Sequence, residues 1–458
     1  MTRREAIKLM GAGFGVVGLA QALHAREGGL LAPRAPHFPA KAKHVIFLYL
    51  NGGLSHVDTF DPKPELARMD GQPMPGPKIK TDSATGGLMA SPFTFRKYGQ
   101  SGIEVSEIFP HVGGVIDEFC VVRSMYSESI NHLPSMLMMN TGHALTGVSR
   151  PSLGSWITYG LGSENANLPG YVVLCPGHPV GGVRLWSSSF LPTSYQGVHI
   201  RNEKEDPSEF VQDIRNRWVT RPQQEKQLEL LSKLNDSFLD QIDYEPEMEA
   251  AIESMEVAYR MQTELPGVFD IDSEPEAVRR RYGKSDFGRG CLMALRLVEQ
   301  GVRIVQVYYG DRQPWDSHDD MLDHRLHARF ADEPIAALVA DLKTRGLLDE
   351  TIVILGTEFG RTPMIQNAGS VRTGRGRDHN PPGYSILLAG GGFKGGMTYG
   401  ATDEFGFKAV EKRTNPHDLH ATVLHLLGLD HTKLTYRYSG RDFRLTDVSG
   451  NVLHELIA

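Results

Sequence analysis

The sequence predicts an α/β protein, with a mostly parallel central sheet, helices on both faces and one helical insertion. Short continuous apolar runs recur along the chain, and runs of this length are typical of strands buried on both faces. Amphipathic helical segments separate the later runs, and this alternation favours right-handed crossovers between parallel strands. The length of 458 residues suits one large α/β domain with insertions, or two to three smaller domains. We expect a single domain from residue 44 to about residue 450.

The first predicted strand is the apolar run HVIFLYL, residues 44–50. A proline-rich stretch, residues 26–43, precedes this run and is interpreted as a linker. The run ends in NGGLSHVDTFDPKP, a polar loop that contains glycine. A buried strand that ends in such a loop places polar side chains at the edge of the sheet.

Two helices and three more strands are predicted in the second half of the chain. Residues 289–300 have the apolar spacing of a helix that ends at Gly301, and the strand VRIVQVYY follows. The segment EPIAALVADLKTRG predicts the next helix, which ends at Gly346. The apolar face of this helix consists of Ile335, Leu338, Val339 and Leu342. The runs TIVILG and YSILLAG predict two further buried strands.

Three polar loops are predicted to meet at one edge of the sheet. They are NGGLSHVD, GDRQPWDSHDD and TEFGRTP, and each follows a predicted strand. In open α/β sheets, ligands bind beyond the carboxyl ends of the strands. A functional site is therefore predicted where these loops come together.

Residues 222–262 differ from the rest of the chain, because they are charged and helical in pattern throughout. They predict a helical hairpin that is inserted into the domain and packs on the side of its core. Charged helical faces usually face water, so a solvated amphipathic pair is favoured over a specific docking surface.

The amino terminus has the pattern of an export signal. Arg3 and Arg4 precede a weakly apolar, glycine-rich stretch, and Ala20 and Ala22 form an A-x-A arrangement after it. The paired arginines resemble the twin-arginine type of signal. The apolar stretch is too short and too rich in glycine for a membrane span. We therefore predict a twin-arginine-type signal over residues 1–25, export to the periplasm or the extracellular space, and no membrane span in the mature chain.

Charge and cysteine content argue against several kinds of partner. The chain has 48 basic and 55 acidic residues and a formal net charge of −7, which does not favour nucleic acid or an anionic membrane surface. Cys120, Cys175 and Cys291 lie in apolar surroundings without metal-ligand spacing, and they are predicted to be buried free thiols. The sequence does not reveal the oligomeric state.

Candidate metal ligands lie in the motifs WDSHDD, GTEFGR and GRDHN, each expected to follow a strand. They are Asp316, His318, Glu358, Asp378 and His379. Alternate side chains of an extended segment point to the same side, so Asp316 and His318 can reach one ion. Carboxylates and imidazoles without thiolates suit a divalent metal, with zinc or manganese favoured and calcium or magnesium as alternatives. A lone histidine is more often a hydrogen-bonded core or surface residue, so the coincidence of the motifs predicts the site.

Several motifs together resemble a known family. HVIFLYLNGG, WDSHDD, DETIVILGTEFGRTP, GRDHN and DLHATVLHLLGLD are similar to the bacterial family known as domain of unknown function 1501, over residues 44 to about 446. That family in turn resembles a distant branch of the alkaline phosphatase and sulfatase superfamily. The resemblance implies an alkaline-phosphatase/sulfatase-like fold with a metal-dependent site.

The resemblance also implies roles for individual positions. DETIVILGTEFG is similar to the sulfatase strand that delivers a metal-binding aspartate, so Glu358 would be that ligand. HVIFLYLNGG resembles the first strand of the superfamily, and Asn51 stands where an aspartate would bind metal. Phe359 stands where many relatives have a second ligand. This pattern implies that one metal site is kept and a second is depleted.

NHLPSMLMMNTGH resembles the sulfatase nucleophile signature and places His132 at the position of the nucleophile. Formylglycine chemistry is excluded there, because it needs a cysteine or a serine at that position. His132 could form a phosphoryl-histidine, ligate a metal or act as a general acid, and Ser135 or Ser129 could be the nucleophile instead. Arg361 or Arg377 could clamp the substrate anion, or could form a structural ion pair.

These features predict an exported metal-dependent hydrolase of phosphate or sulfate esters, whose substrate is a small-molecule or polysaccharide ester. In such reactions one or two divalent ions lower the pKa of the nucleophile and stabilise charge on the equatorial oxygens. The alternative is a superfamily member that has lost catalysis and binds a polysaccharide or an exported partner. The residues Asn51, His132 and Phe359 favour this alternative. A phosphomutase fits the fold but fits export poorly.

Overall fold

The computed structural model describes residues 30–76, 80–144, 149–204, 267–367 and 373–458, together with 220, 222, 223, 226, 227, 229, 230 and 233. The predicted export signal, and nearly all of the predicted helical insertion, lie outside the described residues. The part of the predicted linker that is described runs along the domain. In it, the backbone N–H of Arg34 donates to the carbonyl of Leu161 (2.9 Å), and that of Lys41 donates to the carbonyl of Leu426 (2.8 Å).

Strands and helices alternate along most of the described chain. The strands are β1 (His44–Tyr49), β2 (Thr85–Leu88), β3 (Phe95–Tyr98), β4 (Ile103–Ser106), β5 (Phe119–Met125), β6 (Tyr171–Leu174), β7 (Val198–Ile200), β8 (Ile304–Tyr308), β9 (Thr351–Gly356), β10 (Gly360–Gln366), β11 (Arg377–Asn380), β12 (Tyr384–Ala389), β13 (Met397–Tyr399), β14 (Ala401–Thr402), β15 (Ala409–Glu411), β16 (Tyr436–Tyr438) and β17 (Arg441–Phe443). The α-helices are α1 (Pro64–Arg68), α2 (Pro110–Gly114), α3 (His132–Thr141), α4 (Leu153–Leu161), α5 (Glu276–Tyr282), α6 (Asp286–Glu299), α7 (Asp323–Thr344) and α8 (Pro416–Leu426). None of these described helices combines the length and the apolar character needed to cross a membrane.

The central sheet has eight strands in the order β13-β5-β12-β9-β1-β8-β6-β7. Neighbouring strands are parallel except where β12 pairs with β9 and with β5. The strands β9, β1 and β8 are adjacent and parallel, so their carboxyl ends lie at the same edge. The predicted fold class, a mostly parallel sheet, is confirmed.

Each face of the sheet contributes to its own apolar core. In β1, Ile46 and Leu48 pack in the core that also contains apolar residues of α6 and α7. Val45 and Phe47 alternate with them and pack in the core that contains apolar residues of α3, α4 and α8. Because both faces are covered, the strand is apolar at every position after His44 rather than at every second one.

The strands predicted over HVIFLYL, VRIVQVYY, TIVILG and YSILLAG are confirmed as β1, β8, β9 and β12. The helix predicted over residues 289–300 is confirmed as part of α6. It begins at Asp286, after Ser285, whose hydroxyl oxygen accepts a hydrogen bond from the N–H of Gly288 (3.0 Å).

The start predicted for the following helix is wrong, because α7 already begins at Asp323 and contains Pro334 in its interior. A proline inside a helix removes the N–H that would bond to the carbonyl four residues before it. Here that carbonyl, of Phe330, faces the hydroxyl of Ser285 at 3.5 Å. The side chain of a neighbouring helix cap thus offers a donor in place of the missing one, and the helix continues.

Two segments expected at the edge of the central sheet belong instead to a second sheet, of order β11-β10-β2. Strand β10 includes the residues GRTP of a predicted loop, and β11 includes the residues RDHN. Both pairings in this sheet are antiparallel. Polar, glycine-containing and proline-containing segments lack the apolar pattern of a strand, so pairing with each other determines their conformation. His379 therefore reaches the site from this second sheet.

Candidate metal centre

The loops that follow β1, β8 and β9 are joined directly by hydrogen bonds. The N–H of Trp315 donates to the carbonyl of Asn51 (3.2 Å). The N–H of Gly52 donates to Oε1 of Glu358 (2.9 Å), and the N–H of Leu54 donates to Oγ1 of Thr357 (3.1 Å). The expectation that these loops share one edge is confirmed, and hydrogen bonds tie them to one another there.

Gly52 lies where the first of these loops touches the second. Its φ is +123°, and a Cβ atom added to it would lie 2.7 Å from the backbone nitrogens of Trp315 and Asp316. Real Cβ atoms do not approach backbone atoms so closely, and L-residues rarely adopt this φ. The glycine at position 52 is therefore required by the close approach of the loop that contains Asp316.

Gly52→Ala is expected to destabilise the fold by at least about 1–3 kcal/mol and to lower the metal content. The added methyl group would push the Asp316 loop away from its neighbours. Gly71→Ala is the matched control, because Gly71 has a φ of +74° but nothing within 4 Å of the position of a Cβ. Denaturant unfolding and metal analysis of both variants test this. Equal effects of the two substitutions on stability and metal content would contradict a close contact between position 52 and the Asp316 loop.

Four side chains converge beyond this edge. Oδ1 of Asp316 lies 2.9 Å from Nε2 of His318, 3.2 Å from Nε2 of His379 and 3.3 Å from Nε2 of His132. Each of the four offers a ligand atom, and these atoms all lie within 4.8 Å of one another. Asp316 and His318 come from the loop after β8, His379 from β11 and His132 from the first position of α3. Residues separated by up to 247 positions in the sequence thus form one cluster.

The other nitrogen of each imidazole is held by a hydrogen-bond acceptor. Nδ1 of His132 lies 2.7 Å from Oε1 of Glu358, and Nδ1 of His379 lies 2.7 Å from the carbonyl oxygen of Ile130. Nδ1 of His318 contacts the side-chain oxygen of Gln366. Acceptors at Nδ1 favour the tautomer with hydrogen on Nδ1 and leave the lone pair of Nε2 directed into the cluster. Histidines that bind metals are held in this way.

Electrostatics keep Asp316 ionised. Burial raises its pKa, but the charge of Arg361 and the contacts with the three histidines hold the pKa far below its usual range. Burial lowers the pKa of His132, whereas the contacts with Asp316 and Glu358 and the charges of these two carboxylates raise it, with a net rise to about 9. Burial lowers the pKa of His379, and nearby Arg361 and His132 lower it further against the effect of Asp316. His379 is therefore neutral while it faces a carboxylate.

These contacts fit a cation at the centre of the cluster. Nε2 of His132 is buried, and its contact with Asp316 lacks the direction of a hydrogen bond. With a pKa near 9 this imidazole is protonated at neutral pH, and a metal ion that binds to it would displace the proton. The Nε2 lone pair of neutral His379 faces a carboxylate oxygen. The lone pair of His379 and the carboxylate oxygen repel each other at this distance unless a cation lies between them. Three imidazoles and one carboxylate are a donor set for zinc or manganese rather than for calcium or magnesium.

The cluster is open on one side. The side chains of His318 and Asp316 are 30% and 23% exposed, whereas those of His132 and His379 are 11% and 7% exposed. The ring of Phe359 covers the inner side, with its centroid 4.8 Å from that of His132 and 4.5 Å from that of His379. A ligand from solvent can therefore reach the cluster on the side of Asp316 and His318.

Glu358, which the family resemblance makes a ligand, lies behind His132. Its Oε1 accepts hydrogen bonds from Nδ1 of His132 and from the N–H of Gly52, and its Oε2 accepts one from Oγ1 of Thr357 (3.2 Å). The side chain is fully buried. In this position the carboxylate orients an imidazole and joins it to the loop after β1.

Arg361 is fully buried, and its guanidinium donates to protein oxygens on every side. Nε donates to the carbonyl of Gly53 (2.9 Å), and Nη1 donates to that of Arg377 (3.2 Å). Nη2 contacts the carbonyl of Gly52 and Oδ1 of Asp316. These bonds hold Asp316 against the loop after β1, so the side chain positions the carboxylate.

Three other predicted site residues are not among the four converging side chains. The side chain of Asn51 bonds to the backbone of Gly310 and of Arg312. The Ser135 hydroxyl donates to the carbonyl of Ser129 (2.8 Å). Asp378 accepts from the N–H of Ser83 (2.7 Å) and of His379 (2.9 Å), and it groups with Asp82 and His379 within 4.8 Å. Their predicted roles stay predictions.

The sequence did not predict the hydrogen-bond acceptors that hold Nδ1 of His318 and of His379. Gln366, on β10, and the carbonyl of Ile130, before α3, have no signal in the sequence, because neither residue type nor spacing marks them. It also left open the role of Arg377, which forms a fully buried ion pair with Asp58. Nε of Arg377 lies 2.8 Å from Oδ2 of Asp58, and Nη2 lies 3.1 Å from Oδ1.

Comparisons with known proteins extend over most of the chain. The model of a family described as protein of unknown function (DUF1501) matches residues 42–457. None of the curated proteins matches the sequence.

Solved structures are similar only at a distance. A sulfatase from Pseudoalteromonas sp. is 13% identical, with 91% of this chain and 71% of that chain covered and a TM-score of 0.34. A phosphonate monoester hydrolase from Silicibacter pomeroyi is 12% identical, with coverages of 76% and 71% and a TM-score of 0.35. The lipoteichoic acid synthase LtaP from Listeria monocytogenes is 11% identical, with coverages of 91% and 78% and a TM-score of 0.36. The chemistry of the site therefore has to follow from its own side chains.

Proposed function

This chain belongs to the DUF1501 family of proteins of unknown function, and from that premise we propose that it is an exported, metal-dependent hydrolase of phosphate or sulfate esters. The observation that carries the proposal is the convergence of three imidazole Nε2 atoms on one carboxylate oxygen, with each Nδ1 held from behind. A structural ion pair does not need three histidines in this orientation. A metal centre with an open side does.

Different residues of the chain would have different roles at such a site. His132, Asp316, His318 and His379 would hold the ion, which is zinc or manganese. A divalent ion held there would lower the pKa of a water molecule and stabilise negative charge on an ester oxygen. Glu358 orients His132, Arg361 positions Asp316, and Phe359 keeps water away from the inner side of the two buried imidazoles.

The attacking group in this proposal is water rather than a side chain. Ser135 lies one helical turn after His132, but its hydroxyl donates to a backbone carbonyl, and no base among the described residues accepts a hydrogen bond from it. His132 has both ring nitrogens directed at carboxylates. Neither side chain is poised to attack phosphorus or sulfur, whereas water can enter beside the exposed edges of Asp316 and His318.

The cellular location and the substrate class rest on the sequence. The paired arginines and the A-x-A arrangement support export to the periplasm or beyond. The resemblance of the motifs to the alkaline phosphatase and sulfatase superfamily supports an ester of phosphate or sulfate as substrate, either small or attached to a polysaccharide.

The test compares metal content and ester hydrolysis in the wild type and in His318→Ala. The protein is purified without chelators, its bound metal is measured by mass spectrometry, and aryl phosphate and aryl sulfate esters are assayed. We expect about one zinc or manganese per chain in the wild type. His318→Ala is expected to lose most of the metal and to lower hydrolysis at least 100-fold, because a ligand to the ion is removed.

His178→Ala serves as the control, because His178 is an exposed histidine outside the cluster. It should leave metal content and hydrolysis unchanged. Wild-type protein that contains no metal, or hydrolysis that His318→Ala does not alter, would sink the proposal.

A second candidate function has one observation in its favour. Arg361 is the cation that contacts Asp316, and its N–H groups are engaged by protein oxygens, so it does not offer a clamp for a substrate anion. A family member that keeps the metal and binds a polysaccharide or an exported partner, without hydrolysis, fits this arrangement. Stoichiometric metal, no turnover of either ester and saturable glycan binding would establish this function instead.

A further inference from the structure

A second recess lies at the carboxyl-terminal end of α3, whose first residue is His132. The recess encloses about 220 Å³, counting its open mouth, and Thr141, Gly142, His143, Arg150, Trp156 and Arg444 are among the residues that line it. A ten-residue helix is about 15 Å long, so this recess is separate from the metal centre. Much of this space is open solvent, so a ligand here would lie at the mouth of the recess, against the side chains that line it.

Arg150 enters this recess without a protein acceptor. Its guanidinium carbon lies 4.2 Å from the centroid of the Phe443 ring. No described residue accepts a hydrogen bond from it, and its Nε is buried without a partner. A guanidinium has five N–H donors in a planar fork that matches the oxygens of an anion. A buried and unpaired donor of this kind is costly unless a ligand satisfies it.

The recess has more positive than negative charge. Arg444 uses its Nε on the carbonyl of Asp447, and its terminal nitrogens have no acceptor among the described residues. Arg441 neutralises the carboxylate of Asp447, the one acidic side chain among the lining residues. Neither Arg150 nor Arg444 thus forms an ion pair with an acidic side chain in the part of the chain that the structure describes.

His143 and Arg150 both line the recess, and their pKa shifts are consistent with an excess of positive charge there. Burial lowers the pKa of His143, and the charges of Arg150, His417 and Arg441 lower it further, against Asp447. Burial likewise lowers the pKa of Arg150, with Asp447 raising it and Arg441 lowering it. A positive potential in a partly enclosed space attracts anions.

We infer that this recess binds an oxyanion, sulfate or phosphate, through Arg150 and Arg444. The aromatic wall formed by Trp156 and Phe190, whose ring centroids lie 6.4 Å apart, would contact the group that carries the anion. The anion could be free in solution or attached to a sugar. The inference does not depend on the proposed function, because it uses no residue of the metal centre.

The experiment is calorimetric titration of the full-length protein with sodium sulfate and sodium phosphate at constant ionic strength. Glucose 6-sulfate, glucose 6-phosphate and glucose are titrated in parallel, to separate a free anion from one attached to a sugar. We expect saturable binding of sulfate or phosphate, and no binding of glucose. Arg150→Gln and Arg444→Gln should each weaken the binding by at least about tenfold, since each removes charge-assisted hydrogen bonds to the anion. Tighter binding of the sugar esters than of the free ions would identify an anion carried on a sugar.

Two further variants make the result specific. Arg413→Gln is the control, because Arg413 also lies over an aromatic ring, 4.1 Å from the centroid of Tyr126, but outside the recess. It should bind the anion like the wild type. His318→Ala should also keep this binding, which separates the recess from the metal centre. Melting temperatures without ligand show that each variant is folded.

Three results would overturn the inference. They are the absence of saturable binding by either anion, binding that survives both Arg150→Gln and Arg444→Gln, and binding that Arg413→Gln weakens equally. If binding is lost only in His318→Ala, the anion is bound at the metal centre, and the recess is not the site.

Discussion

Asp316→Asn is expected to abolish the stabilisation that the proposed metal ion would give to this protein. In the wild type, a chelator should lower the free energy of unfolding by about 4 kcal/mol when the metal had been present at a thousand times its dissociation constant. In Asp316→Asn the chelator should have no effect. The carboxylate oxygen that faces three imidazoles is lost, and an amide nitrogen or oxygen in its place cannot supply the charge.

The substitution also has a cost that does not depend on metal. Arg361 is fully buried and contacts Asp316, so removing the carboxylate leaves a buried charge with only carbonyl partners. We therefore expect the variant to be less stable than the wild type even with chelator present. Only the difference between the measurements with and without chelator reports the metal.

Asp378→Asn is the matched control for this measurement. Asp378 is also fully buried, and the sequence also predicts it as a metal ligand. Its oxygens, however, accept hydrogen bonds from the N–H groups of Ser83 and His379. Its chelator response should stay close to that of the wild type. If Asp378→Asn loses the response and Asp316→Asn keeps it, the ion is held at the group of Asp82, Asp378 and His379 instead.

The sequence allowed the fold class and part of the site to be predicted, for one physical reason. Strands buried on both faces, such as β1 and β9, are apolar at nearly every position, and this makes them visible as continuous runs. Parallel neighbouring strands end at the same edge of a sheet, and ligands bind beyond that edge. The loops with Asn51, Asp316 and Glu358 are therefore expected to meet there. The meeting of these loops follows from strand order alone.

The remaining parts of the site depend on contacts that no local pattern reveals. Strands β10 and β11 are polar, and they are strands only because they pair with each other. His379 thus arrives from a sheet that the apolar pattern does not show. His132 stands at the start of α3 and meets Glu358, 226 residues later in the sequence.

The sequence also could not predict in which direction a side chain points. Glu358 and Arg361 have the residue types of a ligand and of an anion clamp, but both are fully buried and hold other side chains in place. The motif GTEFGR is compatible with either role. Which role a residue takes depends on whether its neighbours leave its polar atoms free, and that is settled by packing across several loops.

Asp58→Asn is expected to destabilise the protein by about 3–5 kcal/mol at neutral pH, because it leaves a buried arginine without a counter-ion. Asp58 and Arg377 are both fully buried, and two nitrogens of Arg377 bond to the two oxygens of Asp58. Arg377 also donates to the carbonyls of Thr362 (3.2 Å) and Met89 (3.0 Å). Its charge is therefore fixed in place and cannot turn to water when the carboxylate is lost.

The effect should depend on pH in one direction. Burial raises the pKa of Asp58, but the charge and hydrogen bonds of Arg377, with Ser55 and Ser91, outweigh burial and leave the pKa below the ordinary 3.8. A carboxyl whose pKa is depressed by folding stabilises the folded state above its unfolded pKa and loses this contribution as pH falls through the folded value. The difference between wild type and Asp58→Asn should therefore be constant above about pH 5 and shrink below pH 3.8.

Denaturant unfolding of both proteins from pH 3 to pH 7 measures this difference. Asp442→Asn is the control, since the pair of Arg437 and Asp442 is 68% and 57% exposed, and such pairs contribute about 0–1 kcal/mol. Because Arg377 is two residues before His379, Asp58→Asn should also lower metal content, whereas Asp442→Asn should not. A small and pH-independent cost at position 58, equal to that at position 442, would mean that the buried pair does not hold β11 against the loop after β1. The position of His379 would then need another cause.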